Sequence, residues 1–246
     1  MARTVAEFEY LRSVVHPHAP GSMRLKKSVL DLMGERRPYG ADEITADRII
    51  HLIGLFAGGL GSAVLIGVAL RRLGPSNWWP IIVYSACLVA MLGCSASYNL
   101  ARQPARRERL RRLDHAAIFL MIAGTYTPFT TRMLDGTWAI AMTGSVWALA
   151  LAGAFIKLRY PRRLEHVDLA LYLGLGWLIL IAWKPFLAVV DPDTAALIIA
   201  GGALYTFGAG FHAWRALRFQ NAIWHGFVLA AAACHYAAVL RSVVEQ

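Results

Sequence analysis

Seven long apolar blocks, poor in charge, constrain this chain more than any other feature: approximately 48–70, 79–101, 113–131, 137–158, 168–190, 194–214 and 223–243. A helix needs about 20 mostly apolar residues to cross the hydrocarbon core of a bilayer, and each block approaches or exceeds that. Arginines, prolines or acidic residues bound each one. Backbone groups in lipid must be paired within their own segment, so the blocks predict helices, and the alternating pattern of a membrane barrel is missing. Composition agrees. The chain is 57% hydrophobic and 16% charged, against about a quarter charged in soluble domains. The expected fold is an all-α integral membrane protein with seven transmembrane helices.

Residues 1–46 read differently, as a basic cytosolic N-terminal tail ahead of a seven-helix transmembrane domain over 47–246. They carry seven Arg and Lys residues, with Pro17, Pro20 and Pro38 among them. No apolar run among them is long enough for a signal-peptide core, so no cleavage is expected. A short interfacial helix is expected from Leu25 to Leu32. His16 and His18 read as a solvated pair more readily than as metal ligands.

The net charge of +10 would suit a nucleic-acid partner, but its distribution points to a membrane. With the first helix leaving the cytosol, nineteen basic residues fall inside and four outside (Arg71, Arg72, Arg132, Arg241). The inner set comprises the tail, the 102–112 loop, the 157–167 loop with Lys157, and Arg215 with Arg218. This is a positive-inside bias, with a cytosolic N-terminus and an outside C-terminus. The expected home is the bacterial inner membrane. The expected partners are membrane lipids, with anionic headgroups at the cytosolic face and no nucleic acid. Cys87, Cys94 and Cys234 all fall inside the blocks and read as packing residues. Gly54 and Gly58 form a GxxxG suited to close internal helix packing.

Orientation turns the polar residues into a geometry. Glu43, Asp47 and His51 are spaced by fours at the start of the first helix. Ser95 and Asn99 close the second helix, Asp114 and His115 open the third, and Asn221 and His225 open the seventh. Residues four apart share a helical face, so several helices present polar groups at one depth in the inner leaflet. Ionisable groups inside a span are costly and usually face the bundle interior. A plainer reading makes Asp114 and Asn221 helix caps, and makes Glu43 and Asp47 counter-charges to nearby arginines. His115 reads as interfacial, His166 and His212 as headgroup-level, and Lys184 as snorkelling outward. His235 lies about 15 Å beyond His225.

LDHAAIFLMIAGTYTPF, residues 113–129, resembles the third-helix signature of the hemolysin III family, the bacterial branch of the progestin and adipoQ receptor superfamily. Glu43, Asp47 and His51 are similar to its E-x3-N-x3-H, Ser95 and Asn99 stand at its S-x3-H, and Asn221 and His225 at its H-x3-H. The resemblance implies seven helices with a cytosolic N-terminus. It also implies zinc held by one histidine on the second helix and two on the seventh, flanked by Asp114 and Ser95. It further implies a link to hydrolysis of lipid amides. This chain departs from that set, because Asn99 and Asn221 replace two of the three histidines and leave His225. Asparagine oxygen is a poor zinc donor beside imidazole. Asp47, Asp114, His51 and His225 could rebuild a metal site. A network in which Asn99 and Asn221 donate to Asp114 and accept from His225 or Ser95 is the favoured expectation, since asparagine is a frequent interhelical hydrogen-bonding residue.

Three functions follow as expectations. One is a lipid-binding or sensing protein with an inner-leaflet polar cavity and no zinc catalysis. The second is a metal-dependent, ceramide-type amide hydrolase with Asp114 and Ser95 as catalytic residues. The third is a membrane-permeabilising protein, which the absence of a full-length polar stripe disfavours.

Overall fold

A computed structural model describes residues 39–101, 103–160, 167–214 and 216–245. The chain divides into two units, Met1–Gly40 and Ala41–Gln246. Of the first, only Tyr39 and Gly40 belong to the described residues, so the expected basic tail, the 25–32 helix and the His16/His18 pair lie outside them, as does His166.

The second unit is all-helical, with no strand among the described residues. Its elements are α1 (Ala41–Arg72), a 3-10 turn (Pro75–Asn77), α2 (Trp78–Leu100), α3 (Pro104–Arg132) and α4 (Gly136–Arg159). They continue through α5 (Asp168–Gly176), a 3-10 segment (Trp177–Ala182), α6 (Trp183–Leu187), α7 (Pro192–Ala213) and α8 (Gln220–Val244). Six of the expected blocks are long and apolar enough to cross a membrane: α1, α2 with its preceding turn, α4, the 168–187 run, α7 and α8. Their outer faces carry large exposed apolar side chains such as Phe56, Ile140 and Phe207, a surface that water would not tolerate at this density.

The block 113–131 lies inside α3, which falls short of that apolarity. The physical reason is its position. Twelve residues between Asp114 and Thr130 are buried against other helices, so this helix needs no greasy outer face. Its threonines return their hydroxyls to the backbone four residues earlier, as Thr127 does to Ala123 O at 2.8 Å. Thr143 of α4 donates to Thr130 at 2.7 Å and Trp147 to Thr127 at 3.0 Å.

The helices pack in the order α7, α8, α1, α2, α3, α4, while α5 touches α3, α4 and α7. The GxxxG is internal. A Cβ on Gly58 would collide with Leu92 Cδ1, and one on Gly54 would meet Leu229 at 3.3 Å. Cys87 packs on Gly124 in the same manner, and all three cysteines are free.

Three expectations need correcting. The 102–112 loop is largely helix, because Pro104 sits at the first helical turn of α3, where its missing N–H costs nothing. The first helix extends back to Ala41, ahead of the apolar block at 48, and carries Glu43 and Asp47 as expected. The 168–190 helix is broken at Trp177–Ala182. Tyr126 covers the break, its hydroxyl donating to Gly176 O at 2.7 Å and accepting from Ile179 N at 2.8 Å. Finally, Lys157 is not a loop residue but is fully buried in α4. Lys184 is exposed, as expected.

Candidate functional site

The i,i+4 spacing of α1 buries Glu43, Asp47 and His51 on one face. The start of α8 packs against that face. Phe219, just before α8, takes a left-handed φ of 58°, a conformation costing an L residue about 1–2 kcal/mol. Its N–H donates to Glu43 Oε1 at 2.7 Å, which helps hold the chain where Asn221 and His225 face α1.

Asp47 is the hub. It accepts from Asn221 Nδ2 on Oδ2 at 2.9 Å, and its Oδ1 stands 2.6 Å from His225 Nδ1. His51 Nε2 lies 3.6 Å from Oδ2. The His51 and His225 rings are 4.3 Å apart at their centroids. The Asn221 amide also reaches Asn99 Oδ1 at 3.5 Å, and Asn99 donates to Ser95 O at 3.0 Å. The expected asparagine network therefore exists in part, but its amides serve Asp47, Asn99 and a backbone carbonyl rather than Asp114.

Asp114 is not a cap. It is buried ten residues inside α3 and lines the same cavity as Ser95 and His225. Nor is Asn221 a cap, since Phe219 holds that position. Every residue singled out in the sequence (Glu43, Asp47, His51, Ser95, Asn99, Asp114, Asn221, His225) falls in this one region, linked across α1, α2, α3 and α8.

A cavity of about 180 Å³ opens from it. Ser95, Asp114 and His225 line one end, and Met121, Ile122, Phe129, Trp177 and Phe186 line its length. From Asp114 to Phe129 along α3 is about 22 Å at 1.5 Å per residue. His235 also faces the cavity, with Nε2 at 3.2 Å from Ile198 O.

Sequence reasoning missed a second polar cluster. Lys157 pairs with Asp168, whose Oδ2 is 3.7 Å from His115 Nδ1, and Tyr172 donates to His115 O at 3.2 Å. The signal available was the apolar Leu158 beyond Lys157, which marks the helix as continuing past the charge. His115 thus faces Asp168 of α5.

The zinc set that the resemblance implies does not fit this chain. Asn99 and Asn221 occupy two of its three positions, and their amides are engaged in the bonds above. What the structure does hold is an Asp/His/His group: Asp47, His51 and His225 offer ligand atoms within 4.8 Å of one another.

A helical membrane bundle with a polar site at one end of an apolar cavity is the class of protein defined by this geometry. The haemolysin-III related family model matches residues 43–236, and the chain belongs to that family. It is 34% identical over 201 residues to the hemolysin-3 homolog of Bacillus subtilis (strain 168), covering 80% of this chain and 93% of that protein. It is 34% identical over 198 residues to hemolysin-3 of Bacillus cereus, covering 80% and 90%. The monocyte to macrophage differentiation factor of Homo sapiens is 27% identical over 236 residues, covering 88% and 94%, a relation that extends to the progestin and adipoQ receptor proteins. No solved structure matches.

Proposed function

We propose that this chain is a seven-helix protein of the bacterial inner membrane that binds a lipid in its cavity, headgroup at Ser95, Asp114 and His225 and acyl chain along α3. One observation carries the reading: a single cavity gathers Ser95, Asp114 and His225 at one end and has a mostly apolar lining along the rest, the shape of an amphiphile. Pockets for small molecules are mostly apolar with a few placed polar groups. The Bacillus relatives support a bacterial home.

The seventh span in this reading is α3. At 29 residues it is about 43 Å long, more than the roughly 30 Å hydrocarbon core, and the surrounding helices shield its polar groups. An odd number of spans with a basic N-terminal tail inside places the C-terminus outside. The exposed arginines at the start of α3, Arg106, Arg107 and Arg109, then face anionic lipid headgroups. Alkaline phosphatase fused after Gln246 is expected to be active, and a green fluorescent protein at the same point dark. The opposite pair of results removes this topology.

A membrane-soluble fatty acid carrying a diazirine tests the cavity. Photolysis should label α3 and α8 around Ile122 and Val228, and Ile122→Trp should cut that labelling about tenfold, the equivalent of about 1.4 kcal/mol. Label confined to the outer faces of α1 and α4, unchanged by Ile122→Trp, defeats the proposal. A second reading, hydrolysis of a lipid amide, is favoured by the convergence of Ser95, Asp114 and His225 at the headgroup end. Release of fatty acid from a ceramide substrate, abolished by Asp114→Asn, would select it over binding alone.

A further inference from the structure

His51 Nε2 is buried and has no hydrogen-bond partner among the described residues, and its side chain is only 6% exposed. A buried polar atom left unsatisfied costs about 1–3 kcal/mol, and such exceptions in native structures call for an explanation. The atom is aimed at Asp47 Oδ2 across 3.6 Å, too long for a hydrogen bond. It is close to the roughly 3.4 Å separating two ligand atoms that each bind one tetrahedral zinc at about 2.0–2.1 Å. The second imidazole, His225, enters the same group from α8.

We infer that Asp47, His51 and His225 form a cation site, bridging α1 and α8, for a divalent first-row transition ion, Zn²⁺ foremost. One carboxylate and two imidazoles are a donor set that zinc takes readily. The Asp47–His225 contact of 2.6 Å is a hydrogen bond when no ion is held and lengthens by less than about 1 Å on ligation. Asn221, donating to Asp47 Oδ2 at 2.9 Å, is the outer partner that orients the carboxylate, as ligating carboxylates generally require. The site shares His225 with the three-histidine set that Asn99 and Asn221 disrupt, and takes its other two ligands, Asp47 and His51, from α1. Those two residues give up nitrogen ligands, while Asp47 supplies a carboxylate within the same cluster. His225 also lines the cavity, so an ion here lies beside the proposed headgroup end. The inference itself stands independently of lipid binding.

The test uses the full chain, purified in detergent and stripped with a chelator. Zn²⁺ is titrated against a chromophoric competitor, and folding is followed by gel filtration and tryptophan fluorescence. About one zinc per chain is expected. His51→Gln and Asp47→Asn should each weaken it by at least about a hundredfold, the upper end of what losing an outer partner alone costs. Asn99→Ala should retain it. X-ray absorption of the zinc-loaded wild-type protein needs no variant and should report two imidazoles. A folded wild-type chain that takes up no zinc overturns the inference. So does a single imidazole in the absorption spectrum, or zinc that survives both substitutions and is lost on Asp114→Asn.

Discussion

Lys157→Met should lower the stability of the folded protein by about 3–5 kcal/mol, the usual cost of removing one partner of a buried ion pair. Lys157 and Asp168 are both buried, and they join α4 to the start of α5. Methionine fills much of the lysine's volume, so the loss comes from charge and not from a cavity. Among the described residues, Asp168 is left with His115 at 3.7 Å. The check is denaturant unfolding in detergent, followed by tryptophan fluorescence. Lys157→Met with Asp168→Leu should recover most of the loss, since an apolar replacement of a whole buried pair is often neutral. If the single substitution costs less than about 1 kcal/mol, comparable to an exposed pair, Lys157 reaches solvent and the buried cluster is wrong.

Asp47→Ala should cost about 2–6 kcal/mol, because it strands the Asn221 amide and the His225 ring, each a buried or half-buried donor worth about 1–3 kcal/mol when unpaired. Asp47→Asn should cost clearly less, since its carbonyl can still accept from Asn221. Both are to be measured with chelator present, so that hydrogen bonding is read without any contribution from an ion. Equal losses in the two variants would mean that the isosteric amide recovers nothing, so that the carboxylate's charge matters and a neutral carbonyl acceptor does not replace it. Glu43→Gln gives a useful comparison. Its carbonyl can still accept from Phe219 N, and the α8 start should hold.

Much of this was legible in the sequence, and the reasons are particular. Apolar blocks report helix ends well where the chain must cross lipid, so α2, α4, α7 and α8 fall within about three residues of their expected bounds. The fours in Glu43, Asp47 and His51 fixed a common face, and burial of all three follows from it. Asp114 was placed with the cluster although its sequence position suited a cap equally. The start of α3 at Pro104 was readable from proline's preference for a first helical turn, but the arginines that follow suggested a loop.

Other features were hidden because they depend on partners distant in sequence. A lysine near a helix end looks the same whether it snorkels or pairs, and only Asp168, brought beside it by packing, decides for Lys157. The break at Trp177–Ala182 holds no proline itself, and Pro185, whose missing N–H leaves Ile181 O without its usual helical donor, marks only its far end. It persists because Tyr126, some 50 residues earlier in the chain, meets the backbone groups that the helix leaves free. The direction of the Asn221 amide, to Asp47 and not to Asp114, likewise depends on how α8 docks on α1.

The most direct test of the account is native mass spectrometry of the protein released from mild detergent, with identification of any lipid retained. The expected result is one acyl-chain lipid bound to the wild-type chain and lost from a folded Ile122→Trp variant. A wild-type chain that flies without lipid, or a variant that keeps the same lipid at the same occupancy, would contradict the cavity as a lipid site.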